Sequence, residues 1–153
     1  MATASKHQYD DVRFLGGLFV ELEQIWQNAD YQPLLAEEIP RLEKSHEAVF
    51  QNEKSPGGEA WKELSPVTIA RKGHDVILHL TGALGTSLFG QTGDSIRDVG
   101  DRHLTFGTSD FKSIFHTEGT SRMPAREHVG VNDEQVDGMV ERVADFTVEL
   151  LKG

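Results

Sequence analysis

The sequence predicts an α+β fold in which a small antiparallel sheet of three to four strands is packed by N-terminal helices and a long C-terminal helix. Three observations carry this. Apolar residues recur with helical spacing near both ends, glycine-punctuated runs of period two lie between Ser87 and Phe106, and 153 residues suffice for one core. A chain of this size buries about 68–70% of the surface it exposes when unfolded. The expected organisation is a single domain, with a helical part over 1–54, a loop-rich sheet region over 55–130 and the C-terminal helix over 131–153.

The first helix is predicted from Asp11 to Asn28. Leu15, Leu18, Phe19, Leu22, Ile25 and Trp26 fall on one face, opposite Glu21, Glu23 and Gln24. Gly16 and Gly17 weaken it by about 1 kcal/mol each relative to alanine. Any further apolar surface on Phe14 and Val20 would suit packing between subunits.

Leu35, Ile39, Leu42, Val49 and Phe50 form a second stripe, which Pro40 interrupts. A kink or a fresh helix start is expected there, because proline lacks the amide donor and restricts Ile39. Ser55-Pro-Gly-Gly58 reads as a turn. Ser65 then caps a short helix that begins with Pro66 and runs to about Lys72, and Thr81 is expected to cap one turn through Leu84.

Beyond this point three strands are expected, over Ser87–Gln91, Ser95–Val99 and His103–Phe106, joined by turns at Thr92-Gly93-Asp94 and Gly100-Asp101. Asp75–Leu80 and Ser121–Met123 are candidates for a fourth. The last element is a helix whose face is Val136, Met139, Val140, Val143, Phe146, Leu150 and Leu151, with Asn132 and Gln135 spaced as a capping box. A lone helix of this length is marginal in water, so it must dock on the sheet or on a neighbour.

Composition narrows the functions open to the chain. There is no cysteine, which excludes disulfides, thiolate metal sites and cysteine nucleophiles. No apolar run reaches the ~18–20 residues of a membrane span, and the N-terminus lacks the apolar stretch of a secretory signal, so an intracellular chain with no membrane partner is expected. The 25 acidic against 15 basic residues, a formal charge of −10, repel phosphate backbones. Specific nucleic-acid binding is disfavoured, whereas a pore through which DNA slides without sticking would gain from that repulsion.

Candidate chemistry is sparse. Seven histidines invite a metal, with His103, His116 and His128 near Asp110 and Glu118, but none forms an HExxH pair or another ligand spacing. His74 and His79 lie five apart, poor spacing on a helix or a strand. Gly82-Ala-Leu-Gly85 lacks the Lys-Ser/Thr ending of a phosphate loop, and neither Ser87 nor Ser113 sits in a GxSxG setting or has a histidine nominated as its base. Trp61, after a Pro-Gly-Gly turn, reads as a core anchor. Arg126, after Met123-Pro-Ala, is placed to pair with an acidic residue inside the chain or across an interface.

In order along the chain stand Ser55-Pro-Gly-Gly-Glu-Ala-Trp61, Leu64-Ser-Pro-Val-Thr-Ile69, Leu80-Thr-Gly-Ala-Leu84, His116-Thr-Glu-Gly119 and Met123-Pro-Ala-Arg126. This series resembles the virion morphogenesis (tail completion) family of tailed phages, Mu-like prophage proteins included, from Phe50 through the C-terminal helix. The resemblance implies a part for tail completion and head–tail joining, with no catalysis and no cofactor. It marks Trp61, Leu64, Thr81, Gly82, Leu84, His116, Gly119, Pro124 and Arg126 as structural or interaction residues. By analogy with connector and terminator parts it implies a homo-oligomeric ring, six-fold to match a tail tube. The implied partners are tail-tube and neck proteins, and the implied location is the virion tail or neck, with host cytoplasm during assembly. The alternative, from another class, is a metal-assisted hydrolase using His103, His116 and His128.

Overall fold

The computed structural model describes residues 6–152, with side chains from residue 16 onward. Helix α1 (Lys6–Asn28) opens the described chain; Leu15 and Phe14, placed on its apolar surface by periodicity, lie outside the described side chains. Helix α2 (Gln32–Ala36) and helix α3 (Glu38–Asn52) follow, divided at Glu37. The break expected near Pro40 is thus a fresh helix start two residues earlier, which places the proline in the first turn, where its missing N–H costs nothing.

Helix α3 turns Glu38, Leu42 and His46 inward at four-residue steps and ends on Glu53 in the left-handed region. The Ser55–Gly58 turn closes as expected, with the Gly58 amide donating to the Ser55 carbonyl at 2.9 Å. Helix α4 (Pro66–Lys72) is capped by Ser65, whose hydroxyl accepts from the Thr68 amide at 3.2 Å.

Sequence reasoning fails at the next element. Of the strand expected over Ser87–Gln91, Ser87 to Phe89 are instead the end of helix α5 (Ala83–Phe89), which starts after Gly82 in the left-handed region and is capped by Gly90. Leu84, Ser87 and Leu88 share its buried side at helical spacing, a pattern that a five-residue window beginning at Ser87 cannot display. Thr81 is therefore not the cap of a single turn. Its hydroxyl makes only a 3.4 Å contact to the Ala83 amide, ahead of a helix that runs past Leu84.

Strands β1 (Ser95–Val99) and β2 (Leu104–Thr108) pair antiparallel, Arg97 opposite Phe106 and Val99 opposite Leu104. Among the described residues the sheet has these two strands, not three or four. The Asp75–Leu80 candidate is a turn: the Ile77 amide donates to the Glu53 carboxylate at 2.6 Å, and Leu78 has φ of 53°. Ser121–Met123 belongs to a tight loop closed by a single bridge between Thr120 and Met123.

A two-stranded ribbon is marginal alone. Here Arg97 stabilises it: its guanidinium lies 3.9 Å over the Phe106 ring, pairs with Glu43 at 3.1 Å and donates to the carbonyls of Leu88 at 2.5 Å and Gly107 at 3.1 Å. One side chain thus ties both strands to α3 and α5.

Helix α6 (Lys112–Glu118) and helix α7 (Asp133–Lys152) complete the chain. The capping box forms, with Asn132 Oδ1 accepting from the Gln135 amide and Gln135 Oε1 from the Asn132 amide, both at 2.9 Å. Helix α7 docks chiefly on α1 and α2. Tyr31 is the pivot: buried between Trp26 and Phe146, with ring centroids 5.5 and 5.4 Å away, it donates its hydroxyl to Thr147 at 2.9 Å. Arg142 adds a fork onto the buried Glu38 carboxylate at 2.5 and 2.7 Å, and this bond raises the guanidinium's pKa.

Candidate functional site and family

Phe50 organises the region that the sequence motifs span. Its ring packs edge-on against Trp61 at 5.5 Å, Phe89 at 5.7 Å and His128 at 6.0 Å, which joins α3 to the loop after the turn, to α5 and to the segment before α7. Trp61 is 7% exposed, as a core anchor should be, and its indole N–H donates to the Glu127 carbonyl at 2.7 Å. Arg126 answers in the reverse direction, donating from Nε to the Lys62 carbonyl at 2.8 Å and from its terminal amino group to the Glu63 carbonyl at 3.1 Å.

Arg126 therefore pairs with main-chain carbonyls of its own chain. It is 4% exposed, and burial lowers its pKa. Within the chain its guanidinium is held by these two carbonyls, and no acidic side chain among the described residues forms an ion pair with it. Leu64 and Pro124 are half-buried beside this clasp, and Leu84 is buried in the core under α5.

Two histidines brace the same region. His128 donates from Nδ1 to the Arg126 carbonyl at 2.9 Å, so its Nε2 is free to accept from the Ser113 hydroxyl at 2.9 Å. His46 repeats the arrangement, donating from Nδ1 to the Leu42 carbonyl at 2.7 Å while Nε2 accepts from the Gly130 amide at 3.3 Å. Both rings are 0–1% exposed, and desolvation pushes both pKa values below the ordinary imidazole value. Neutral imidazole is the form these bonds require.

His116 lies half-buried with its ring 6.4 Å from that of His128, and its pKa is also lowered, first by burial and then by His128 and Arg126. Its main-chain carbonyl accepts from the Arg126 amide at 2.6 Å. Three residues later Gly119 has φ of 75°, and a Cβ there would meet the Ala125 amide nitrogen at 2.7 Å. Gly82, with φ of 80°, forms the turn into α5 in the same way.

The histidine cluster considered as a hydrolase centre does not assemble. His103 sits on the surface, 3.2 Å from Asp98 at the far end of the ribbon, while both nitrogens of His128 are already bonded. Among the described residues no three His, Asp or Glu side chains converge as a metal site. The structure does supply one contact that the sequence reading missed, a histidine on Ser113. That imidazole is fully buried between main chain and serine, where it braces α6. His74 and His79, poorly spaced in sequence, stand with ring centroids 5.6 Å apart.

Sequence reasoning also missed His46, Arg97, Tyr31 and Glu38. For His46 a signal was available, since it continues the inward four-residue step of Glu38 and Leu42. Nothing local marks Arg97 or Tyr31, whose partners lie up to 116 residues away.

No described helix is long and apolar enough to cross a membrane. No curated protein and no solved structure matches the chain. A family model does match residues 20–147, which extends the similarity seen from Phe50 onward back through α2 and into α1. With the clasp, the turn glycines and the capped helices in place over that span, the chain belongs to the phage virion morphogenesis family.

Proposed function

We propose that this chain is a structural assembly protein of a phage tail, acting in tail completion or head–tail joining through contacts between proteins, with no bond made or broken. The observation that carries the reading, beside the family, is apolar surface left uncovered on a single copy. On α1, Phe19, Val20 and Trp26 are 68%, 53% and 55% exposed, and on α7 no residue is fully buried. Such surface marks association sites on soluble proteins.

A homo-oligomeric ring, six-fold to fit a tail tube, accounts for this surface, because closed cyclic assemblies bury one face of each subunit against a different face of the next. Tail-tube and neck proteins are the further partners of this reading. The acidic excess then faces the channel and lets DNA pass without binding; a basic lumen in the assembled particle would refute that part.

Mass measurement and negative-stain imaging of the concentrated protein test the proposal. Closed rings, or decoration of tail-tube ends, are expected. A protein that stays monomeric at high concentration and ignores tail tubes and necks would overturn it.

A further inference from the structure

Helix α6 is built inside out. Its inward side is polar, with Ser113 bonded to His128 and His116 half-buried, while Phe111, Ile114 and Phe115 point outward at 71%, 54% and 49% exposure. The three follow the i, i+3, i+4 spacing of one helical face, and Phe111 and Phe115 pack edge-on at 6.4 Å. The Lys112 ammonium, 57% exposed, lies 5.9 Å from the Phe111 ring and 3.9 Å from the Asp110 carboxylate, so the knob carries an accessible cation beside its apolar cap.

At the other end of α7 is a shallow groove of about 480 Å³ between α1 and α7, lined by Glu21, Gln24, Ile25, Asn28, Leu150 and Leu151. Ile25, Leu150 and Leu151 give it an apolar part and Glu21 stands at its edge, on a stretch of α1 with no basic residue from Gly16 to Asn28; Lys152, next to Leu151, is paired with Glu149 at 2.6 Å. Apolar cap meets apolar lining, and lysine meets carboxylate.

The placement of the two features matters as much as their chemistry. Helix α6 is fastened to His128, four residues ahead of the α7 cap at Asn132, whereas Leu150 lies about 27 Å along the helix at 1.5 Å per residue. The knob is thus tied to the segment before the N-terminal cap of α7 and the groove lies at its C-terminal end, a placement that suits a head-to-tail contact between copies.

We infer that the groove receives α6 of a second copy of this chain, with Phe111, Ile114 and Phe115 seated on Ile25, Leu150 and Leu151, and Lys112 beside Glu21. The inference rests on the assembly reading above and names the contact that it needs.

Two surface variants of the full chain test it by mixing. Phe111→Asp/Phe115→Asp destroys the knob and keeps the groove; Leu150→Asp destroys the groove and keeps the knob. Each alone should lose self-association, and mixed they should form a one-to-one dimer that grows no further, since only one good knob and one good groove remain. Circular dichroism confirms that each variant is folded. In a second arm, Lys112→Glu and Glu21→Lys should each weaken association about tenfold, as expected for the loss of one contact of 1.4 kcal/mol, and should restore it when both are present in every copy.

If the wild type associates but the knob variant associates equally well, the contact is wrong while the assembly reading stands. If only Leu150→Asp abolishes association, some other segment occupies the groove, and the inference is again overturned. A wild type that stays monomeric and binds no tail protein sinks both.

Discussion

Trp61 and Arg126 bind each other's backbone: the tryptophan donates to the carbonyl following Arg126, and the arginine donates to the two carbonyls following Trp61. The clasp joins two loops more than sixty residues apart without a strand between them. Trp61→Ala should cost about 3–5 kcal/mol, since it opens a cavity against Phe50 and frees the Glu127 carbonyl. Arg126→Lys should cost about 1–3 kcal/mol, because an ammonium cannot span both carbonyls. Urea denaturation measures both, and a loss under about 1 kcal/mol for Trp61→Ala would rule out the anchor role.

His46 and His128 predict a pH dependence. Burial holds both folded-state pKa values below the unfolded value of about 6.5, so the unfolded chain takes up protons first as pH falls. Stability should be full above that value and decline from about pH 6.5 downward, before carboxylates begin to titrate. Denaturation midpoints at intervals from pH 8 to 5 check this. His46→Gln combined with His128→Gln should lower stability and flatten the slope; an unchanged slope would show that other groups set it.

Glu38 and Arg142 fix the C-terminal helix to the helical core. Arg142→Met leaves a carboxylate that is 4% exposed without its bidentate partner, and Arg41, 3.5 Å away, compensates only in part. A loss of about 3 kcal/mol is expected. Hydrogen exchange should show α7 opening before α3 and α5 in this variant, and uniform opening would contradict the assignment.

Gly119→Ala should destabilise by about 2–4 kcal/mol, since the backbone is in a conformation reserved for glycine and the added methyl meets the Ala125 amide. Gly93→Ala is the control, with nothing within 4 Å of the new Cβ, and should stay within about 0.5 kcal/mol of the parent. Thermal unfolding of the pair gives the answer directly.

What the sequence by itself determined is what short-range chemistry governs. Ser65-Pro66 capped its helix, Asn132 and Gln135 formed their box, α1 and α7 formed as helices, and Ser95–Val99 paired across the Gly100 turn, because caps, turns and helical spacing are decided by neighbours a few residues apart. The ordered motifs of the Trp61 and Arg126 regions were likewise readable, although the partner of the arginine was not. Tertiary structure alone decided that Ser87 lies in a helix, since Leu84, Ser87 and Leu88 had to share one face against β2, where the serine hydroxyl lies 2.7 Å from that of Thr108. It decided, too, that α7 leans on Tyr31 and Glu38, that Arg97 substitutes for the missing strands, and that α6 turns its phenylalanines outward. Those outcomes depend on which surfaces meet across 15 to 116 residues of chain, beyond the reach of local spacing, and burial energy is indifferent to sequence separation.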